Sequence, residues 1–160
     1  MSATTALPAY VYVASSWRNH FQPAVIAVLK AAGIAAYDFK NPEGGTGFSW
    51  SEVRPIDAPA GIPAKGSDWE SEANYLAMLD HPRSREGFAA DFAAMQRADT
   101  FVMVLPCGKS AHLELGWAIG AGKRTAILLE DPVEPELMYL MADHLSTSVH
   151  DLLDWLGVED

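Results

Sequence analysis

Between Ala9 and Phe39 the sequence changes its period twice, and this narrows the fold more than any other stretch. Ala9-Tyr10-Val11-Tyr12-Val13-Ala14 is β-branched and aromatic, the composition of a buried strand, and it ends at Ser15-Ser16. Phe21 to Ala32 carries Phe21, Val25, Val28 and Leu29 at helical spacing and stops at Gly33, a C-terminal signal. Ile34 to Phe39 reads as a second strand. Strand, helix and strand within about thirty residues predict a right-handed parallel crossover.

The rest of the chain extends that pattern. Phe101-Val102-Met103-Val104-Leu105 is an apolar run short enough to be a fully buried strand, and Thr125 to Leu129 is another. Helices are expected over Trp69–Leu79, with a break at His81-Pro82, and over Arg83–Ala98, where Phe88, Phe92 and Met95 form an inward stripe. Turn formers follow the 101–105 strand. Ser110 is then a candidate N-cap for a helix reaching Gly122, and two helical pieces, Glu134–Ala142 and Ser148–Leu156, close the chain. Asn41 to Ser67 is rich in Gly and Pro and lacks periodicity; its Phe48 and Trp50 either cover a ligand or pin the loop to the body. The expected architecture is a single α/β domain over residues 1–160, flavodoxin- or Rossmann-like. Its parallel sheet has four or five strands, with helices on both faces.

Composition removes several functions. The chain has 160 residues and a formal net charge of −10 with no Lys/Arg cluster, so a polymeric nucleic acid partner is disfavoured. No apolar run reaches the roughly 20 residues of a membrane span, and the start lacks the basic and apolar regions of a signal peptide. Cys107 is the only cysteine, which excludes an internal disulfide and suits a reducing cytoplasm. The five histidines are scattered, with no pair at a ligand spacing, so no metal and no cofactor are expected.

In a parallel sheet, ligands bind past the C-terminal ends of the strands. Glu114, in the helix after the 101–105 strand, is therefore placed as a carboxylate near that crevice, in a first turn where the dipole favours negative charge. The plainer alternative is a solvated glutamate that merely suits the dipole. Ser15-Ser16-Trp17 follow the first strand and open onto the same crevice. The hydroxyls suit a sugar or base and the indole offers a stacking face, although an N-cap and a packing Trp are compatible with the same residues. Asp91 lies between Phe88 and Met95 at the edge of the inward stripe; it is either a partly desolvated acid/base group or a surface residue. Asp99, just before a strand, falls at the opposite edge of the sheet and reads as turn chemistry. Gly116 and Gly120 give the Glu114 helix a small-residue face suited to close backbone approach. Cys107, near the site, is either a reactive thiol, though no adjacent base is apparent, or, as is more common for such a cysteine, a small filler. Neither Gly122-Lys123, which follows helix rather than strand, nor Glu43–Gly47 is a phosphate-binding loop.

Taken together, Tyr12-Val13-Ala14-Ser15-Ser16-Trp17, the Asp91 to Asp99 spacing before a strand, and Glu114-Leu115-Gly116-Trp117-Ala118 before Gly122-Lys123 resemble the nucleoside 2-deoxyribosyltransferase family, which includes 2'-deoxynucleoside 5'-phosphate N-hydrolases. About two-thirds of the chain carries the resemblance. It implies that Glu114 attacks the anomeric carbon and that Asp91 delivers or relays a proton to the leaving base. It further implies that Tyr12, Ala14, Ser15, Ser16, Trp17 and Ser110 contact a small-molecule nucleoside or nucleotide, and that the protein is a homo-oligomer. Gly108 stands where the transferases carry an acid and the hydrolases a phosphate-binding serine, and Ser110 stands where the hydrolases have glycine. Transfer and hydrolysis thus both remain open. So do an NAD-cleaving or nucleotide-signal module, with Arg83, Arg85 and Lys109 as its cations, and a non-catalytic nucleotide binder of the same fold.

Overall fold

In the computed structural model of the chain, residues 7–43, 45–53, 72–129 and 134–158 are described. The chain divides into two compact units, Met1–Asp38 with Ala94–Asp160, and Phe39–Ala93.

The first unit is built on a five-stranded, wholly parallel sheet in the order β2-β1-β3-β4-β5. Its strands are β1 (Val11–Ala14), β2 (Ala36–Tyr37), β3 (Thr100–Val104), β4 (Arg124–Leu128) and β5 (His144–Ser146). The helices are α1 (Gln22–Ala31), α4 (Lys109–Gly120) and α5 (Val149–Leu156), with α2 (Glu72–Asp80) and most of α3 (Pro82–Arg97) in the second unit. This strand order is the flavodoxin-like one, whose topological switch point lies between β1 and β3. The α/β fold with helices on both faces is therefore as the sequence predicts.

Alternation along the central strands separates two layers. Val11, Val13, Val102, Val104, Ala126 and Leu128 face α1 and α5, where they bury Val25, Ile26, Leu29, Leu152 and Leu156. The other face carries an aromatic row: Tyr12 stacks between Tyr37 and Phe101, at 5.3 and 5.0 Å, and Phe101 meets Trp117 of α4 at 6.0 Å. Because β1 and β3 are covered on both sides, every residue of each is buried, which explains their unbroken apolar sequence. Gly33 and Gly122 end α1 and α4 at φ 77° and 70°, a conformation glycine adopts without strain.

Several boundaries differ from expectation. The second strand is only two residues long, and β5 was hidden inside what read as a link between helical pieces. The 134–142 piece is a single 3₁₀ turn, Leu137–Met141, capped by the Glu136 side chain rather than an α-helix. Phe88 is 68% exposed and stacks on Phe92 at 5.5 Å instead of pointing inward, while Met95 is buried as expected. A Cβ at Gly116 or Gly120 would meet nothing within 4 Å, so these glycines do not serve close backbone approach; both positions face open space. Of the long loop, 54–67 lies outside the described residues, as do 69–71 ahead of α2.

In the second unit, Phe48 and Trp50 pin the chain to α3. Phe48 lies edge-on to Trp50 at 4.9 Å, and the Arg83 guanidinium sits over the Phe48 ring. Arg83 also pairs with Glu52 at 2.6 Å and donates to the carbonyls of Thr46 and Gly47. Gly87 is required there, since a Cβ would come within 2.8 Å of Phe48.

Candidate active site

The C-terminal ends of β1 and β3 are cross-tied at the switch point. Ser15 donates its hydroxyl to the Val104 carbonyl at 2.9 Å. Asn19, only 3% exposed, donates to both Val104 O and Pro106 O at 3.1 Å. Its side-chain oxygen accepts from the amides of Phe21 at 2.7 Å and Gln22 at 3.3 Å, so one residue caps α1 and holds the loop after β3. Asn19 went unmarked in the sequence reading; an Asx residue three positions before a helix was the signal available.

α4 begins two residues earlier than expected. Its N-cap is Gly108, which offers no side chain, and Ser110 is an exposed residue inside the first turn rather than the cap. Glu114 consequently falls in the second turn, where the influence of the helix dipole is weaker than a first-turn position would give. The first turn is closed mainly by a side chain. The backbone bond from His112 N to Gly108 O is long at 3.5 Å, whereas His112 Nδ1 reaches the same carbonyl at 2.8 Å. A carbonyl accepts only, so Nδ1 carries a proton, and in the neutral imidazole Nε2 presents a lone pair. Tyr139, in the 3₁₀ turn, donates its hydroxyl to that Nε2 at 2.8 Å.

Cys107 sits among these groups. Its sulfur is 3.7 Å from His112 Nδ1, but that nitrogen's proton is already directed at Gly108 O, so the imidazole is no base for the thiol. Burial, reinforced by the negative charge of Glu114, pushes the Cys107 thiol up to about 12. Burial, and then Cys107 and Glu136, raise the Tyr139 phenol above its usual value as well. Cys107 is thus a neutral neighbour common to Glu114 and Tyr139.

Among the expected site residues, the first unit brings Ser15, Ser16, Trp17, Ser110 and Glu114 to the C-terminal side of the sheet. Glu114, Ser15 and Ser16 are half-buried and Trp17 is 49% exposed. Ser16 Oγ accepts from Arg18 N at 3.2 Å, which shapes the turn. Tyr12 and Ala14 are at most 1% exposed, Tyr12 within the aromatic stack. Asp91 is half-buried on α3, in the second unit. Of the three cations considered for phosphate, Arg83 is committed to Glu52 and the Thr46 and Gly47 carbonyls, and Arg85 pairs with Asp80. Among the described residues no His, Cys, Asp and Glu group gathers in a way that could hold a metal ion.

A half-buried carboxylate beside the switch point, acting on an un-ionised thiol, is equipped to stabilise or attack an electron-poor carbon. The fold is shared with solved structures over almost the whole chain. A 2-deoxyribosyltransferase from Bacillus psychrosaccharolyticus superposes with a TM-score of 0.52, at 16% identity, over 94% of this chain and 98% of that one. A CMP N-glycosidase from Clostridium botulinum gives 0.50 at 13% identity, over 92% and 97%. A conserved protein from Enterococcus faecalis gives 0.55 at 12% identity, over 94% and 98%. No family model and no curated protein sequence matches the chain.

Proposed function

We propose that this protein cleaves the N-glycosidic bond of a (deoxy)nucleoside or nucleotide through Glu114, passing the sugar to another base or to water. The observation that carries the reading is the position of Glu114 on the helix after β3, half-buried, its charge acting on Cys107 at the strand's C-terminal end. The full-length likeness in fold to a deoxyribosyltransferase and a CMP N-glycosidase supports it.

In this reading a Glu114 carboxylate oxygen attacks the anomeric carbon. The bond to the base nitrogen breaks, its electron pair leaves with the base, and the base takes up a proton. Asp91 is the proposed proton source, an assignment resting on the resemblance in its helix-to-strand unit. The glycosyl ester is then opened at the same carbon by an acceptor base or by water, which returns the Glu114 carboxylate. Two displacements retain the anomeric configuration. Ser15, Ser16 and Trp17 are the proposed sugar and base contacts. A homo-oligomer is part of the proposal: Leu113, Leu137 and Leu140 are each about three-quarters exposed and Met138 is 55% exposed, more large apolar surface than water favours.

The test is chromatographic. The parent protein and Glu114→Gln are incubated with deoxynucleosides, their 5'-monophosphates and NAD, with and without an acceptor base. Free base from the parent alone is expected, and a new nucleoside on adding acceptor makes the enzyme a transferase. Equal rates for the parent and Glu114→Gln overturn the nucleophile; no turnover of any substrate overturns the enzyme.

A further inference from the structure

We infer that Tyr139 is a further substrate-binding residue, whose hydroxyl oxygen accepts a hydrogen bond from a hydroxyl group of the sugar. The inference rests on the functional reading above and narrows it.

Gly108 O can only accept, so His112 Nδ1 donates to it at 2.8 Å. In the neutral imidazole His112 Nε2 is left with a lone pair, and Tyr139 OH, 2.8 Å away, supplies the proton between them. A phenol has one proton, so the Tyr139 oxygen can offer a ligand only acceptor capacity. With its proton directed along this chain, Tyr139 discriminates by hydrogen-bond sign: it suits a group that donates and disfavours one that only accepts.

Position connects this acceptor to the reacting carbon. Cys107 lies 3.7 Å from the His112 ring, and its thiol responds to the Glu114 carboxylate while the Tyr139 phenol responds to Cys107. Tyr139 is bonded to His112, two residues before Glu114 on α4, and Cys107 lies against the same ring, which supports a position for Tyr139 near the Glu114 carboxylate. A sugar whose anomeric carbon meets Glu114 carries its hydroxyl groups within a few ångströms of that carbon. Gly108 supplies no side chain at the head of α4, and Tyr139, from another element, is held there by a bond to the same helix. Glu136, near enough to act on the Tyr139 phenol, adds negative charge. The pair favours a neutral sugar hydroxyl over a phosphate at this position.

The experiment compares kcat/KM of the parent, Tyr139→Phe and His112→Ala on three substrates: a 2'-deoxynucleoside, its 2',3'-dideoxy analogue and its 5'-deoxy analogue. Melting temperature and circular dichroism are recorded for each protein. Tyr139→Phe removes one neutral hydrogen bond, so a loss of about 3- to 10-fold is expected on substrates carrying the recognised hydroxyl. On the analogue lacking that hydroxyl the parent falls to the same level and the substitution has no further effect. His112→Ala, which releases the proton that fixes the acceptor, gives a smaller loss with the same substrate pattern. An equal loss on all three substrates makes Tyr139 structural and overturns the inference, as does no loss on any. Cleavage by the parent with unaltered discrimination in Tyr139→Phe overturns this inference alone. No cleavage by the parent on any of the three overturns the functional reading, and this one with it.

Discussion

The two edges of the sheet in the first unit use the same hydrogen-bonding chemistry to opposite ends. At the N-terminal edge, side chains join neighbouring strands through closed pairs. Asp99 accepts from the Ala9 amide at 2.7 Å while its own amide donates to Tyr10 O. Asp143 accepts from both the amide and hydroxyl of Thr125, and its amide donates back to that hydroxyl. Lys123 donates to the carbonyls of Gln96 and Ala98. At the C-terminal edge the donors of Ser15, Asn19 and His112 run onto main-chain carbonyls, leaving the hydroxyl oxygens of Ser15 and Tyr139 as acceptors. A half-buried carboxylate, Glu114, stands beside them. One edge is stabilised by mutual satisfaction; at the other, side chains fix the backbone while hydroxyl oxygens keep acceptor capacity, which suits the binding role proposed for it.

The contrast breaks most sharply at Glu114. Glu114→Gln keeps the side chain's shape and removes its charge and nucleophilicity, so turnover should fall on the order of 10³-fold or more, with the melting temperature changed little. A matching loss in stability would place Glu114 among the structural ties. Asn19→Ala tests the intermediate case, a structural residue on the functional edge. It removes the shared donor of Val104 O and Pro106 O together with the cap of α1, a loss of about 2–4 kcal/mol. Activity and denaturant stability should fall together; normal stability with lost activity would move Asn19 from the scaffold to the substrate.

The same two edges explain what the sequence disclosed. Buried parallel strands are continuous apolar runs, so β1, β3 and β4 are legible with their helices, and the place of Asp99 before a strand puts it at the N-terminal edge as expected, where its carboxylate ties two strand starts rather than shaping a turn. β5 is not legible, because His144-Leu145-Ser146 is too short and too polar to show a period. Phe88 misled because helical spacing reports which residues share a face, not whether anything covers that face. At the site, Glu114 could be placed by its position after β3. The His112–Tyr139 bond joins residues 27 apart across two elements, and no local pattern announces such a tie. Ser110 was read as the cap since serine caps well, yet Gly108 took the position when the His112 side chain closed the first turn instead.

A smaller effect is expected at the N-terminal edge. Asp143→Ala deletes two bonds to Thr125 and should lower stability by about 1–2 kcal/mol, read as a few degrees in Tm. Because this edge faces away from the proposed chemistry, kcat/KM on any cleaved substrate should match the parent at a temperature where both are folded. A selective fall in kcat at unchanged Tm would end the separation of the two edges.

The subtlest expectation concerns Cys107, which belongs to the functional edge without being reactive. Burial and the Glu114 charge hold its thiol up to about 12, against an ordinary value of 9.0. Below pH 9 the thiol is neutral folded and unfolded alike, and its contribution to stability is fully present. As the pH rises above 9 the unfolded chain ionises at this residue while the folded chain does not, so stability declines until about 12. Iodoacetamide should therefore label native protein at pH 8 far more slowly than urea-unfolded protein, and Glu114→Gln should hasten native labelling by removing the charge that opposes the thiolate. If Glu114→Gln leaves the native rate unchanged, the carboxylate does not act on Cys107. The link from Glu114 through Cys107 to Tyr139 then fails at its first step, even where all three residues remain at the same edge.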